Sequence, residues 1–573
     1  MCGGSRTAAG RLTGELVTDS YQEEKVLNSR GSRRSLLILA SALAIATASA
    51  SSVIPASATV RPSVSNSGTP LAGSPSKEHQ IKVLKAALRN MQKNFAKYRG
   101  VTPGPQDIFD YQIGNLWKQG IDGFGTTVAV MEGWDFPGIA RFIHSFDQKF
   151  LLPDPTIQTI FPNGPLPPKC PPGMVKLGSY GSCSAWQGEL GLDVMSVHLV
   201  APYAKIIISA TPADSEINAD PASNVAMPEM MKGVEYISTH RLANAISISD
   251  GTGEITYPSG AEEITAQDPG ELSAAAAGIP LMVASGDCGV VQNLATANNQ
   301  CGNVSRTPDT AAWDDSPWVT AVGGSVPNLT RTGQKAGPDP LWRFSGAGYS
   351  SVFSRPGYQD KVAAVTGSPM RSVPDITMDA QDGTSEASPL FAGVLALATQ
   401  VNKANIGPVN PALYTMGRAG AANGIADVVR GNNSFAGVPG FAAAKGFDVA
   451  SGWGTVDAGK FVPSLVATTR AGGEEAQARH QAAAQLAQIT HGIVLSKTST
   501  AGNSVYLLDQ GFLPGYPVQL SIDGKPVAKL TASTLGYVTS MIDPATLKLA
   551  AGSHTVRLTS MLVSATARFT TGS

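Results

Sequence analysis

Four short runs of apolar residues, each flanked by glycine or polar residues, constrain the fold of this chain more than any other feature. They lie at 126–131, 205–209, 245–249 and 279–284, and 318–322 is a further candidate. Short, continuously apolar runs are typical of parallel strands that are buried on both faces. Because helical stretches separate the runs, the sequence predicts an α/β fold with a parallel sheet flanked by helices.

Acidic residues follow three of these runs, at the point where each predicted strand ends. They are Glu132, Asp250 and Asp287. Because the functional sites of parallel α/β sheets lie at the carboxyl ends of the strands, these side chains are candidate site residues.

The overall composition suits a large folded protein. Of the 573 residues, 42% are hydrophobic and 15% are charged, so we expect two or three domains with a sizeable core. The formal net charge of -1 argues against nucleic acid as the main partner.

Four of the five cysteines form two local pairs. Cys170 lies close to Cys183 in the sequence and Cys288 lies close to Cys301, whereas Cys2 lies in a segment that we expect to be removed. Neither pair has His or further Cys at metal-ligand spacing, so two disulfides are expected rather than a zinc site. Disulfides place the protein outside the cytoplasm.

Residues 1–58 are predicted to contain an export signal. Arg33 and Arg34 precede an apolar run that ends near Ala46, and small residues follow it. This three-part layout is typical of a cleaved signal, and the paired arginines resemble a twin-arginine address. The run is short for a membrane span, so we expect a secreted protein without a stable span after signal removal. An uncleaved anchor is the alternative, and a translation start after Met1 would account for the long extension.

Residues 59–104 are predicted to form a linker and one helix. Pro, Ser, Thr and Gly dominate 59–76, whereas 77–99 has apolar residues every three or four positions. The opposite face of this helix carries five basic side chains: Lys82, Lys85, Arg89, Lys93 and Lys97. We expect the apolar stripe to dock on the following domain, and contact of the basic face with an anionic surface is the alternative.

The chain changes character after about residue 466. Residues 466–492 form a helical linker, with an Ala- and Gln-rich helix predicted over 474–489. Strand-like segments separated by turn signals fill 493–573 and predict a small all-β, sandwich-like module. Because the module has no cluster of titratable residues, we expect an accessory role, with contact to the cell envelope as one form of it.

A Gly383-Thr384-Ser385 turn leads directly into a strongly apolar helix. Such a turn can present a nucleophile, because the free N–H groups at a helix N-terminus favour nearby negative charge. Pro389 is expected in the first helical turn, where it costs no hydrogen bond. The alternative is an ordinary Ser N-cap.

Glu189 and Asp193 are four residues apart, so on a helix they share one face. Their neighbours are apolar, and two carboxylates in such surroundings repel each other. One of them is therefore expected to have a raised pKa and to hold a proton, which suits a carboxyl base. A solvated acid pair is the alternative.

Asp287 stands in the motif Ser285-Gly286-Asp287, at the end of an apolar strand. The glycine lets the backbone approach a ligand closely, and a protonated Asp can donate a hydrogen bond to an oxyanion. A turn Asp that bonds its own loop is the alternative.

Together and in this order, the Glu-x-x-x-Asp, Ser-Gly-Asp and Gly-Thr-Ser-x-x-x-Pro motifs resemble the sedolisin family of serine-carboxyl peptidases. The resemblance implies a subtilisin-like peptidase domain over 105–465. It also implies that Ser385 is the nucleophile, Glu189 the general base, Asp193 its partner and Asp287 the oxyanion donor.

The resemblance implies a secreted endopeptidase that cleaves peptides or proteins through an acyl-enzyme. An acidic working range is expected, because a carboxylate with a pKa near 4 still accepts a proton where a His base is already protonated. A His-based subtilisin is the alternative on this fold. None of the seven His stands before Gly-Thr, however, and His198 lies five residues after Asp193, on another helix face.

One structural Ca²⁺ ion is also implied by the resemblance. Its ligands would be the carboxylates of Asp427 and Asp448 with the backbone carbonyls of Val428, Ala444 and Gly446. These oxygens would form a hard cage of the kind that Ca²⁺ prefers.

The chain departs from the family in three respects. Relatives carry a folded pro-domain, whereas only 59–104 separates the expected signal from the peptidase domain; Asp250 stands where relatives often have Trp; and the β module is additional. Glu132 either extends the carboxyl network or has a structural role. These departures leave one alternative function, a catalytically silent relative that binds peptides or a cell surface.

Overall fold

The computed structural model describes residues 75–162, 166, 169–170, 182–211, 228–257, 260–265, 267–294, 301–488, 494–497, 505–509, 512, 517–532, 538–560 and 564–571. The predicted export signal and the linker up to residue 74 lie outside the described residues. None of the helices within these ranges has both the length and the apolar character needed to cross a membrane.

The strands before the C-terminal module are β1 (Thr127–Glu132), β2 (Ile157–Ile160), β3 (Lys205–Ala210), β4 (Ala245–Ile248), β5 (Leu281–Ala284), β6 (Thr320–Ser325), β7 (Gly348–Ser354), β8 (Met370–Val373), β9 (Ile376–Asp379), β10 (Ile425–Ala426) and β11 (Thr455–Val456).

The helices are α1 (Lys77–Lys93), α2 (Phe95–Tyr98), α3 (Pro105–Asp110), α4 (Ile113–Trp117), α5 (Ile139–Phe150), α6 (Cys183–Val200), α7 (Pro228–Thr239), α8 (Ala261–Thr265), α9 (Asp268–Ala277), α10 (Ala363–Thr366), α11 (Thr384–Asn402), α12 (Asn410–Gly417), α13 (Ala458–Ala471) and α14 (Glu474–Gln488).

Seven strands form one parallel sheet in the order β2-β3-β1-β4-β5-β6-β9. Helices flank this sheet, so the predicted α/β fold with a parallel sheet is confirmed. Strand β1 starts in the middle, and later strands are added on both of its sides. The strand order therefore reverses beside β1, which is where sheets of this type form a crevice at their carboxyl edge.

All five apolar runs contain a strand of this sheet, whereas β2 and β9 were not predicted. Strand β2 is a partly exposed edge strand, so it lacks a continuous apolar run. Strand β9 is fully buried, but Thr377 and Asp379 interrupt its apolar pattern. Both strands are also only four residues long.

Helix α11 packs against the sheet and against α6. Its residues are buried from Thr384 to Thr399 except for Ser385, as expected for a helix that is apolar all round. Gly393 allows α11 and α6 to approach closely, because a Cβ atom at this position would lie 2.7 Å from the Cβ of Val200. This packing places the start of α11 at the carboxyl edge of the sheet.

Pro389 lies further inside α11 than predicted. The helix begins at Thr384, so Pro389 is its sixth residue, beyond the turn in which proline costs no hydrogen bond. Its missing N–H would have bonded to the carbonyl of Ser385, four residues earlier. That carbonyl therefore needs another donor.

Both predicted disulfides are present. Cys170 is bonded to Cys183 at the start of α6, and Cys288 is bonded to Cys301. The second disulfide closes the loop that follows β5, immediately after Asp287.

The N-terminal helix docks by its apolar stripe, as predicted. Leu84, Ala87 and Met91 are buried in the main core, whereas the basic side chains Lys82, Lys85, Arg89, Lys93 and Lys97 are exposed. The prediction of one helix over 77–99 is wrong in its extent, because α1 ends at Lys93 and Lys97 lies on the separate helix α2. A side-chain amide on α1 also bonds across to the main domain, where Gln92 Nε2 donates to the Thr332 carbonyl at 2.7 Å.

The C-terminal strands are β12 (Val494–Lys497), β13 (Val505–Asp509), β14 (Pro517–Ile522), β15 (Lys525–Thr531), β16 (Val538–Ile542), β17 (Gly552–Thr559) and β18 (Ser564–Thr571). They form two antiparallel sheets, β12-β13-β16 and β15-β14-β17-β18. Apolar residues of both sheets, among them Leu507 and Leu520, share one core. The predicted all-β module is therefore present.

Candidate active site

Three elements bring the predicted catalytic residues to the carboxyl edge of the sheet. Helix α6 carries Glu189 and Asp193, the loop after β5 carries Asp287, and the first turn of α11 carries Ser385. Helices α6 and α11 pack against each other, so the two acids lie beside the hydroxyl.

The Ser385 hydroxyl lies close enough to the Glu189 carboxyl to stabilise its ionised form and so to lower its pKa. Both residues are half-buried. The Oε1 atom of Glu189 is buried and has no hydrogen-bond partner within the described part of the chain. A serine hydroxyl bonded to a carboxylate can transfer its proton to that carboxylate when it attacks an electrophile.

Ser249 connects Asp193 to the start of α11. Its hydroxyl lies 3.0 Å from Oδ1 and 3.1 Å from Oδ2 of Asp193, and 3.2 Å from the carbonyl oxygen of Ser385. This carbonyl is the one that Pro389 leaves without a helical partner. Since a hydroxyl has only one hydrogen, Ser249 can serve the carbonyl and Asp193 together if Asp193 is protonated and donates to it.

Ser249 was not predicted as a site residue. It directly precedes Asp250 at the end of a predicted strand, which is the one signal that could have identified it.

Burial raises the pKa of both acids on α6. The pKa of Glu189 is raised to about 8, mainly by burial and further by the charges of Asp287, Asp250 and Asp382, while the bond from Ser385 opposes the shift. The pKa of Asp193 is raised well above its ordinary value by burial and then by the charge of Glu189. A proton held by this pair agrees with the prediction, but a pKa near 4 for Glu189 does not.

Two further acids surround the pair. Glu132 is fully buried, and neither of its carboxylate oxygens has a partner among the residues described. Burial raises the pKa of Glu132 well above its ordinary value, with contributions from Asp193, Glu189 and Asp250. Burial also raises the pKa of Asp250 to about 7. These acids form one electrostatically coupled group behind Ser385.

Asp287 is bonded to the first residue of α11. Its Oδ1 atom accepts hydrogen bonds from the Thr384 backbone N–H and hydroxyl, both at 2.7 Å, and the Thr384 hydroxyl accepts from the Gly286 N–H at 3.1 Å. Because Oδ1 is already an acceptor twice, a proton that Asp287 donates would sit on Oδ2.

Gly383 is the residue that allows this approach. Its φ angle is +96°, and a Cβ atom there would lie 2.6 Å from Oδ2 of Asp287. A side chain at this position would therefore both strain the backbone and displace the acid.

The predicted calcium ligands are brought together by one loop. Asp427 Oδ2 accepts from the Gly446 N–H and Asp448 Oδ2 accepts from the Ala444 N–H, each at 2.8 Å. The other oxygen of Asp427, Oδ1, is buried without a partner among the residues that the structure describes. Val428 is buried next to Asp427. The unsatisfied oxygen of Asp427 fits an oxygen-liganded cation at this place.

His198 lies elsewhere in the core. It is fully buried, and its Nε2 atom lies 2.9 Å from Oδ1 of Asp147 on α5. This pairing accounts for the residue as part of the packing between α5 and α6, in agreement with the sequence analysis.

Comparison with known proteins points to one family. The chain is 29% identical to sedolisin from Pseudomonas sp. (strain 101) over 310 residues, which cover 49% of this chain and 50% of that protein. It is 25% identical to kumamolisin from Bacillus sp. (strain MN-32) over 371 residues, with 60% of each covered. Tripeptidyl-peptidase 1 of Canis lupus familiaris is 30% identical over 237 residues, covering 34% and 38%. No protein-family model matches the chain.

A solved structure of Pseudomonas sedolisin, complexed with two molecules of pseudo-iodotyrostatin, has the same fold. The TM-score is 0.50 at 25% identity, and the match covers 61% of this chain and 94% of that one. The resemblance to the sedolisin family is confirmed. The chain spans about half the length of the curated sedolisin-type relatives that it matches.

Replacing Ser249 by Ala tests its double role at this sedolisin-like site. Ser249→Ala should lower the free energy of unfolding by about 1–3 kcal/mol, because Asp193 and the Ser385 carbonyl both lose a partner. Ser249→Ala with Pro389→Ala should recover part of this loss, because alanine in place of the proline supplies the missing N–H. Urea unfolding of the single and double variants measures both effects.

Ser247→Ala is the matched control, since Ser247 bonds to Ser388 at 2.8 Å from the same strand. Pro389→Ala should not rescue that variant. Equal recovery in both backgrounds would contradict the role assigned to Ser249.

Proposed function

We propose that this protein is a serine-type endopeptidase of the sedolisin kind. The observation that carries the proposal is the closeness of the Ser385 hydroxyl to the Glu189 carboxyl, at the start of a buried helix whose first residue is bonded to Asp287. The named relatives include serine-carboxyl proteinases and tripeptidyl-peptidases, which supports a peptide or protein substrate.

In the proposed reaction, the Ser385 oxygen attacks the carbonyl carbon of a peptide bond. The hydroxyl proton passes to Glu189, which then gives it to the leaving amine as the C–N bond breaks. Water then attacks the carbonyl carbon of the acyl-enzyme while Glu189 takes a proton from that water. Glu189 returns the proton to the Ser385 oxygen as the ester bond breaks, which releases the acid product. Asp193 remains coupled to Glu189 through charge, and Ser249 fixes its position against α11.

Asp287 is the proposed oxyanion donor. Its Oδ1 atom is held by Thr384, which leaves Oδ2 to carry the proton that would bond to the developing negative oxygen. The positive end of the α11 dipole acts at the same place.

The carboxyl groups favour a working range on the acid side of neutrality. Asp250 takes up a proton in acid, since its pKa is about 7, and its contribution to the raised pKa of Glu189 then disappears. Burial remains, so Glu189 ionises above its ordinary value of 4.5. Loss of the proton from Asp287 would contribute to the fall in activity at higher pH.

A bound Ca²⁺ ion is proposed at Asp427, Asp448 and the carbonyls of Val428, Ala444 and Gly446. The ion would neutralise the two carboxylates and stabilise the loops that carry them. Export is proposed from the signal-like sequence in 1–58 and from the two disulfides. We also propose that the C-terminal module contacts the cell envelope.

Replacing Ser385 by Ala or Glu189 by Gln should lower kcat by at least about 10³-fold, because the nucleophile or its base is lost. Cleavage of unstructured peptides at several pH values between about 3 and 7 would be followed by mass spectrometry, which separates internal cuts from removal of N-terminal tripeptides. Glu271→Gln is the matched control, since Glu271 is a buried acid on α9 with a raised pKa. Cleavage that survives Ser385→Ala, or no cleavage by the wild type, would contradict the proposal.

The pH dependence of kcat/KM should be bell-shaped, with its maximum below about pH 7 and its ascending midpoint above the ordinary Glu value of 4.5. The ascending midpoint moves upward because burial disfavours the ionised form of Glu189, so a higher pH is needed to form the base. An ascending midpoint below 4.5, or activity that rises steadily to about pH 8, would contradict this assignment.

Removing calcium should lower the free energy of unfolding by about 3 kcal/mol relative to a solution at a hundredfold excess over Kd. Thermal unfolding of the Ser385→Ala protein, with and without a chelator, measures this without autolysis. Asp427→Asn should lose the response. The same chelator effect in Asp427→Asn would place the ion elsewhere.

A further inference from the structure

Three buried carboxyl groups meet behind the turn that carries Ser385. Asp107 comes from α3, Asp379 ends β9, and Glu386 lies in the first turn of α11. One oxygen of each lies within 4.8 Å of the others, and all three residues are buried. We call these residues the three-acid cluster. It is not part of the proposed reaction, and its members are separated by up to 279 positions, which is 386 minus 107.

The cluster contains carboxyl oxygens that no donor in the described part of the chain reaches. Asp107 Oδ1 and Glu386 Oε1 are both buried and have no hydrogen-bond partner among the described residues. An ionised carboxylate oxygen that is buried without a donor is costly, whereas a protonated carboxyl can donate to a neighbouring carboxylate. The geometry of the cluster therefore favours a protonated state.

The same side chains fix the nucleophile turn. Glu386 Oε2 accepts from the Asp382 N–H and Asp379 Oδ1 accepts from the Gln381 N–H, both at 3.1 Å. The Thr102 hydroxyl bonds to the Asp382 side chain. The backbone between β9 and Ser385 is thus held at both ends by members of the cluster.

The groups that face the cluster add negative rather than positive charge. Beyond the effect of burial, Asp382 on the turn raises the pKa of Glu386, and Asp110 at the end of α3 raises that of Asp107. Asp339 on the neighbouring loop contributes to the raised pKa of the buried Tyr111, after burial and the nearer acids. Lys335 is the cation nearby in the described residues, and its ammonium bonds to Asp110 and Asp339, each at 2.7 Å. The cluster therefore relies on protons for neutrality.

We propose that protons shared within the three-acid cluster hold the turn at 381–385 in its bonded geometry, which makes Asp107, Asp379 and Glu386 positioning residues for the nucleophile. The word nucleophile rests on the function proposed above, but the bonded turn does not. Ionisation of the cluster removes the protons that its carboxyl groups share and adds repulsion at the base of the turn. The start of α11 then loosens as the pH rises.

The sign of the pH dependence agrees with the charges. Burial raises the pKa of Asp107 and Glu386 well above their ordinary values, and that of Asp379 to about 6. The folded state thus holds protons that the unfolded state releases near pH 4. This stabilisation is fully present below the ordinary values and is lost as pH rises through about 6 and beyond.

The first test reads the turn without using activity. Hydrogen exchange of the peptide that covers 380–390 would be measured by mass spectrometry in Ser385→Ala, from about pH 4 to pH 8, with correction for intrinsic exchange. Protection should fall about tenfold or more across this range. In Ser385→Ala with Glu386→Gln, which cannot ionise at this position, the fall should be at least halved. An equal fall in both proteins would overturn the proposal.

Glu271→Gln in the Ser385→Ala background is the matched control. This substitution removes another buried acid with a raised pKa, so it should change global stability in the same direction as Glu386→Gln. Glu271 lies on α9, however, and not at the turn. Local protection at 380–390 should be unaffected. If Glu386→Gln prevents folding, Asp107→Asn gives the same test, because it removes the shared proton's second carboxylate.

Three carboxylates can bind a cation instead of sharing protons. Millimolar Ca²⁺ at neutral pH tests this alternative. Calcium that restores local protection in Ser385→Ala but not in its Glu386→Gln form would show a cation in place of protons, and it would overturn the proposal. An equal effect in both forms would be global stabilisation from elsewhere and would support proton control of the turn.

The second test uses the active protein. The descending limb of the pH profile of kcat should move upward by about one pH unit in Glu386→Gln, with little change in KM, and should not move in Glu271→Gln. An unmoved limb with altered KM would overturn the positioning role. If the wild type cleaves no peptide, the proposed function fails. The exchange measurements still test whether protons in the three-acid cluster hold the turn at 381–385.

Discussion

The first turn of α11 is held by side chains that come from distant parts of the chain. Asp287 bonds to the Thr384 backbone, Ser249 bonds to the carbonyl that Pro389 leaves free, and Glu386 bonds back to Asp382. The rest of the helix is buried against the sheet and α6. These contacts fix the backbone on both sides of Ser385. They therefore keep its hydroxyl beside the carboxyl of Glu189.

In the proposed mechanism, burial of carboxyl groups takes the place that a histidine base has in a Ser-His-Asp triad. Carboxyl groups crowded into an apolar interior resist ionisation, because burial and mutual repulsion both favour the neutral form. The pKa values of Glu132, Glu189, Asp193 and Asp250 all move upward for this reason. Protons are therefore structural components of the site, and the acidic working range remains part of the proposed function.

Much of the framework could be predicted from local sequence. Continuously apolar strands such as β1 and β3 are recognisable because burial on both faces leaves no room for polar residues. The pair Glu189 and Asp193 is recognisable because helical spacing and apolar neighbours occur together. The short strands β2 and β9 carry no such pattern. Strand β2 is partly exposed at the edge of the sheet, and β9 contains Asp379, which belongs to the three-acid cluster.

The parts that sequence could not provide are contacts between distant segments. Ser249 becomes a site residue only because α6 and α11 both pack against the end of β4. The effect of Pro389 depends on how many residues separate it from the helix start. The apolar run alone does not define where the helix starts. Asp107 and Glu386 lie on different elements, and no spacing rule relates them.

The acyl-enzyme tests the central claim most directly, since it requires the Ser385 hydroxyl, the Glu189 base and the surrounding acids to act together. A peptide ester would be mixed with the protein, quenched in acid after short times and analysed by intact-mass and peptide mass spectrometry. The account predicts an acyl group on Ser385 that forms at least about 10²-fold more slowly in Glu189→Gln. An acyl group on another residue, or equal rates in the two proteins, would contradict it.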